Sequence, residues 1–190
     1  MQHIMVDLET MGTVADAVIL SIGAVRFDLE SSEMDDASFY ASISIDSNLE
    51  AKRRIQEGTL MWWLSQADEA KGVFNEPKQS LRSALEDLSD WLGDKNNFVW
   101  SNGADFDLPM LAHAYCTHGM EVPWKFWNAR CFRTYKNLPG AKDIRAPFVG
   151  IKHNAMADAI NQAKTAQLIY GTLFGAASGR RLHSIIKVVI

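Results

Sequence analysis

The chain has 190 residues, 47% of them hydrophobic and 22% charged. That suits one domain burying roughly 70% of its unfolded surface, and it excludes an intrinsically disordered chain. The 19 basic and 23 acidic side chains give a formal net charge of -4, which argues against a protein that coats long duplexes through a general basic surplus.

Residues 3–8 (His3-Ile4-Met5-Val6-Asp7-Leu8) read as a short buried strand, and residues 18–28 as a second. Ser38 to Ile45 alternates apolar and polar residues and predicts a third. The polar stretch from Glu30 to Asp36 is short enough for a hairpin-like return, so an antiparallel meander is expected. Helices follow: residues 49–67 with a break near Gly58, then a helix opening at Pro77 and ending at Gly93. Leu81, Leu85, Leu88, Trp91 and Leu92 form its apolar stripe. Phe98–Ser101 predicts a fourth strand, 107–118 a helix ended by Gly119, and Phe126–Ala129 a further short strand before a helical turn at Phe132–Asn137. Leu138 to Lys152 is a loop. Asn154 caps a final helix to Phe174, supported by Ala155, Ala159, Ala163, Ala166 and Ile169. Meander first, then helices alternating with single strands, predicts one mixed α/β sheet with helices on its faces.

Cys116 and Cys131 stand in no CxxC or Cys/His cluster, which argues against a zinc module or disulfide scaffold and fits a reducing cytoplasm. No basic stretch with an apolar core opens the chain, and no apolar run reaches about 18 residues, so neither a signal peptide nor a membrane span is expected.

Three segments carry chemistry. Asp7 and Glu9 fall on one strand face, about 7 Å apart along the backbone. Two carboxylates aimed the same way repel unless a cation lies between them, and such oxygen ligands suit magnesium or manganese. Asp105 and Asp107 stand where the fourth strand meets a helix; both cannot cap it, so one is free. His153 precedes the Asn154 cap and Asp158 follows one turn in, so an imidazole and a carboxylate can reach one cleft.

Together and in this order, the segments resemble the DEDD superfamily of 3′→5′ exonucleases, in the DEDDh subgroup whose third motif carries a histidine. Asp7, Glu9 and Thr10 match the first motif; Asn102, Phe106, Asp107, Met110 and Leu111 the second; His153 and Asp158 the third. The second motif has three residues between Asn102 and Phe106 where the family usually has two, so Asp105 stands as the alternative to Asp107. The resemblance implies a ribonuclease H-like fold: a mixed five-stranded sheet, a three-stranded antiparallel meander plus parallel strands, flanked by helices. It implies two magnesium or manganese ions held by Asp7, Glu9, Asp107 and Asp158, with His153 as general base. The reaction implied is metal-dependent removal of 5′-mononucleotides from single-stranded 3′ ends, with RNA favoured over DNA through likeness to a smaller exoribonuclease branch.

The resemblance places Thr10, Met11 and Gly12 against the terminal nucleotide, with Asn102 and Phe106 beside it. Of Trp62 and Trp63, at most one faces the cleft; Trp63 is the candidate for stacking on a base, against a core role for each. Arg130, Arg133 and Lys136 recur every three residues as a candidate phosphate ridge, with Arg133 its central member. Lys52-Arg53-Arg54 reads as a solvated turn. Residues 1–174 are expected to form the exonuclease domain and 175–190 a tail packed on it or on a partner. A homodimer is implied by the family. The competing readings are a catalytically silent nucleic-acid-binding domain of the same fold and a partner-dependent proofreading nuclease.

Overall fold

Alternation at the N-terminus builds the centre of the molecule. In the computed structural model, which describes residues 2–35 and 37–175, strand β1 (His3–Thr10) lies in the middle of a sheet. Strand β2 (Ile19–Phe27) runs antiparallel to it, and β3 (Phe39–Ser42) antiparallel to β2. On the other side β4 (Phe98–Ser101) and β5 (Ala129–Cys131) run parallel, giving the order β3-β2-β1-β4-β5. The meander and the added parallel strands are as expected from the sequence.

Period two then sorts the side chains. Ile4, Val6 and Leu8 enter the larger core with Leu85 and Leu88 of helix α3 (Leu81–Leu92) and Leu111 and Tyr115 of helix α4 (Asp107–Thr117). Met5 faces the other way, with Val25, Phe27 and Trp100, onto the alanines of helix α6 (Ala155–Leu173). Asp7 and Glu9 continue that second face where its apolar run ends. Ala155, Ala159, Ala163 and Ala166 are fully buried, and their small size lets the helix lie close to the sheet. The tightest approach is at Gly23, paired with Asp7 in the β1–β2 register. A Cβ there would stand 2.3 Å from the Ala155 carbonyl carbon. Only glycine lets the first turn of α6 rest on β2 beside Asp7.

Several boundaries differ from the sequence expectation, for tertiary reasons. The third strand ends at Ser42, because Ser44 caps a short helix α1 (Ile45–Glu50) by accepting from the Ser47 N–H. The helix expected over 49–67 is two pieces, α1 and α2 (Glu57–Leu64), and Gly58 lies inside α2. The break falls earlier because Arg53 is buried, donating to the Ala17 and Ala15 carbonyls at 2.7 and 3.1 Å, while Arg54 bridges to Ala17. So Lys52-Arg53-Arg54 is not a solvated turn as a whole. Helix α3 starts at Leu81, not Pro77, since Gln79 first bonds to Ser42 and Ser44 and Ser80 supplies the cap. Phe126–Asn128 is a 3-10 turn, and the strand begins three residues later than its apolar run predicts. Phe126 is 82% exposed: with no sheet face to cover them, these aromatics do not extend β5. Helix α5 (Phe132–Tyr135), α4 and α6 stand close to where the sequence puts them. No helix among the described residues is long and apolar enough to cross a membrane. The tail from residue 176 lies outside the described residues.

Candidate active site

The C-terminal end of β1 supplies two acids. A register shift between Glu9 and Thr10 bends the strand just after them. Asp158, in the first turn of α6, comes over the Gly23 contact to meet them. One carboxylate oxygen each of Asp7, Glu9 and Asp158 lie within 4.8 Å of one another. The Asn154 side chain accepts from the Ala157 N–H at 3.1 Å and starts the helix. His153 sits just before that cap at φ 63°, in the left-handed region, and its backbone N–H donates to Asp158 Oδ2 at 2.9 Å. This turn sets His153 within electrostatic reach of Asp158, with its ring against Trp62 and Trp63.

Asp107 arrives from the start of α4. It is 2% exposed, and its Oδ1 accepts the Leu8 N–H at 3.2 Å, which ties it to β1 between the two first-motif acids. Asp105 is exposed on the preceding turn. Between these two aspartates, the tertiary structure brings Asp107 to the cluster.

Packing acids this closely has an electrostatic consequence. Burial, then the charges of Asp107, Glu9 and Asp158, hold the Asp7 carboxyl well above the usual carboxylate range. Burial and then Asp158 and Asp107 push Glu9 up to about 8. Burial raises Asp107 to about 7 against the pull of the Leu8 N–H, and burial raises Asp158 against the His153 N–H. A group of acids that resists ionisation in isolation is stabilised by added positive charge.

Beside Glu9 opens a cavity of about 290 Å³, bordered by Leu8, Thr10, Gly12, Thr59, Trp62 and Phe106 among others. The two adjacent tryptophans of α2 divide, because neighbouring helical side chains diverge by about 100°. Trp63 is 1% exposed and donates its indole N–H to the Thr10 carbonyl at 2.8 Å. Trp62 is 40% exposed and meets the His153 ring edge to face, centroids 4.8 Å apart.

A family model described as a 3′-5′ exoribonuclease Rv2179c-like domain matches residues 2–170. The chain belongs to that family. It is thereby a member of the DEDD superfamily of 3′→5′ exonucleases. The exodeoxyribonuclease of Enterobacteria phage T4 is 26% identical to it, over 68% of each chain. Cell-death related nuclease 4 (CRN-4) superposes with a TM-score of 0.61 at 12% identity, over 90% of this chain and 64% of its own. The zinc-bound ExoI–ssDNA complex of E. coli gives 0.64 at 14%, over 90% of this chain and 41% of its own. These superpositions establish the ribonuclease H-like fold, and the chain spans less than two thirds of both structures.

Within this exoribonuclease-like domain, the remaining candidates fall in different places. Thr10 and Gly12 line the cavity, and Phe106 closes one side of it. Met11 does not: at 2% exposed it packs with Val18, Leu20 and Trp63. Trp63 is likewise a core residue, and Trp62 takes the cleft position. Asn102 Oδ1 accepts from Lys136 Nζ at 3.0 Å. Arg133 is exposed beside Gly103, and its charge pulls on Asp107. Arg130 stands apart from Arg133 and Lys136 in the ridge expected from the sequence, since its guanidinium lies over Phe98 and donates to the Trp127 and Ala129 carbonyls. Sequence reasoning missed Gln56, whose Oε1 accepts the Thr13 N–H and staples the loop after β1. It also missed Gln162, although a spacing of four from Asp158 along a helix marks the same face.

Proposed function

We propose that the protein is a cytoplasmic, divalent-metal-dependent 3′→5′ exonuclease that removes 5′-mononucleotides from single-stranded 3′ ends, RNA before DNA. The observation that carries this is the convergence of Asp7, Glu9 and Asp158 within 4.8 Å, with Asp107 and His153 beside them. The donor set is all oxygen and partly buried, with raised carboxyl pKa values, and it fits two magnesium or manganese ions. Asp7, Glu9, Asp107 and Asp158 would hold them. Ions bound there supply Lewis acidity to the phosphate and lower the pKa of a water.

His153 takes the proton of the attacking water on an imidazole nitrogen. Its left-handed turn and the Trp62 ring restrict where that nitrogen points. Water oxygen bonds to phosphorus, the P–O3′ bond breaks, the phosphate stays on the released terminal nucleotide, and the leaving O3′ takes a proton from solvent to give the shortened strand its 3′-hydroxyl. The cavity beside Glu9 receives the terminal nucleotide, with Trp62 and Phe106 offering ring surface to its base. Arg133 and Lys136 lie near enough to the second motif to meet phosphates upstream.

The family's description as exoribonuclease-like supports RNA. DNA is the second reading, favoured by the likeness to a phage exodeoxyribonuclease. The test is digestion of matched 3′-labelled RNA and DNA oligonucleotides with Mg2+ or Mn2+, and again in excess EDTA. Mononucleotide release from RNA, at least tenfold slower from DNA and abolished by chelation, is expected. Undiminished hydrolysis in EDTA would remove the metal-dependent account, and equal or faster digestion of DNA would select the second reading.

A further inference from the structure

One buried polar residue at the acidic cluster has no part in the reaction described above. Gln162 lies on α6 four residues beyond Asp158, is 8% exposed, and donates from Nε2 to Asp7 Oδ1 at 2.7 Å. Its Oε1 is buried and accepts no hydrogen bond among the described residues. An orphaned buried carbonyl is unfavourable, and methionine or leucine would fill the same space without one. With Asp7 ionised, as a bound cation requires, the amide does not turn round to pair it, because Oε1 would then face a carboxylate oxygen. Among the described residues, then, Gln162 leaves its acceptor unpaired while its donor engages Asp7. That donor is neutral, so it adds no further charge to a site already crowded with carboxylates.

We propose that Gln162 is a positioning residue for metal binding: by engaging Asp7 Oδ1 it fixes the orientation in which the carboxylate meets a cation shared with Glu9 and Asp158. This rests on the cation-site reading above and adds to it the residue that sets the site's affinity. Partners that orient a metal-binding carboxylate typically change affinity by about 10–100-fold when removed.

The test measures Mn2+ binding directly by titration calorimetry on the full chain, for the wild type, Gln162→Met, Asp7→Ala and the double variant. A wild type that fails to bind Mn2+ overturns the cation-site reading itself. If the wild type binds, Gln162→Met is expected to weaken binding at least tenfold, with the unfolding temperature in EDTA unchanged or higher, because the orphaned carbonyl is gone. Affinity within twofold of wild type overturns the assignment. The double variant separates positioning from a general packing role. In the Asp7→Ala background, where Glu9, Asp107 and Asp158 remain to bind Mn2+, the Met substitution should cost less than twofold; an undiminished loss there also overturns it. Should Gln162→Met not fold, Gln162→Leu is put through the same cycle and judged by the same outcomes.

Discussion

Glu9 shows most directly how single residues carry the cost of this site. Its carboxyl is pushed up to about 8 from an ordinary value of 4.5. Between those values the folded chain holds a proton that the unfolded chain has released, so stability falls as pH rises through that window and levels off above it. Asp7 is shifted in the same direction. In EDTA, the unfolding temperature should decline from about pH 5 to about pH 8. Glu9→Gln should flatten the decline, and saturating Mn2+ should oppose it at the upper end. Thermal melts across that range decide the matter: a flat wild-type curve, or an unchanged slope in Glu9→Gln, would sink the idea. Asp7 and Glu9 were legible in the sequence as a pair because strand alternation fixes their face. The choice between Asp105 and Asp107 rested on the motif alone, until the Leu8 N–H contact showed which one reaches β1.

At the scale of elements, α2 explains how two identical neighbours take different work. Trp63 anchors the helix in a small core with Met11, Val18 and Val73, while Trp62 covers His153. Trp63→Ala should destabilise the fold by about 3–5 kcal/mol. Trp62→Ala should change stability by no more than about 1 kcal/mol, but raise KM for oligonucleotides about tenfold, in line with a lost stacking contact. Thermal unfolding and steady-state kinetics read the two effects separately; equal losses of stability would contradict the division. The phase of α2 could not be read from the sequence because both faces offer apolar residues, and Leu60, Met61 and Leu64 remain exposed. The break between α1 and α2 was also hidden, since it depends on Arg53 reaching carbonyls some 36 residues earlier in the chain. The final helix was legible because its signals are local: an Asn cap, a first-turn acid and a run of alanines.

Across the whole molecule, the site exists because five segments meet at one end of β1: the strand itself, the starts of α4 and α6, the turn at His153 and the exposed side of α2. Gly23 controls the closest of these approaches. Gly23→Ala would drive a methyl into the backbone of Ala155 and Met156. It should destabilise the fold by about 1–3 kcal/mol and reduce activity about 100-fold by displacing Asp158 from Asp7. Gly72→Ala, where an added methyl meets nothing within 4 Å among the described residues, should leave stability within about 0.5 kcal/mol. Parallel melts and single-turnover assays test the pair, and an active, stable Gly23→Ala protein would contradict the account.

The amino-acid sequence by itself determined the sheet's meander, the capped final helix and three of the clustered acids, Asp7, Glu9 and Asp158, because strand alternation, helix caps and short motifs act over a few residues. Only the tertiary structure decided which aspartate of the second motif joins the cluster, which tryptophan meets His153, where α1 gives way to α2 and that Gln162 holds Asp7. Those outcomes depend on helix phase, on buried hydrogen bonds between distant segments and on how closely two backbones can approach, and none of these is encoded in any short stretch of chain.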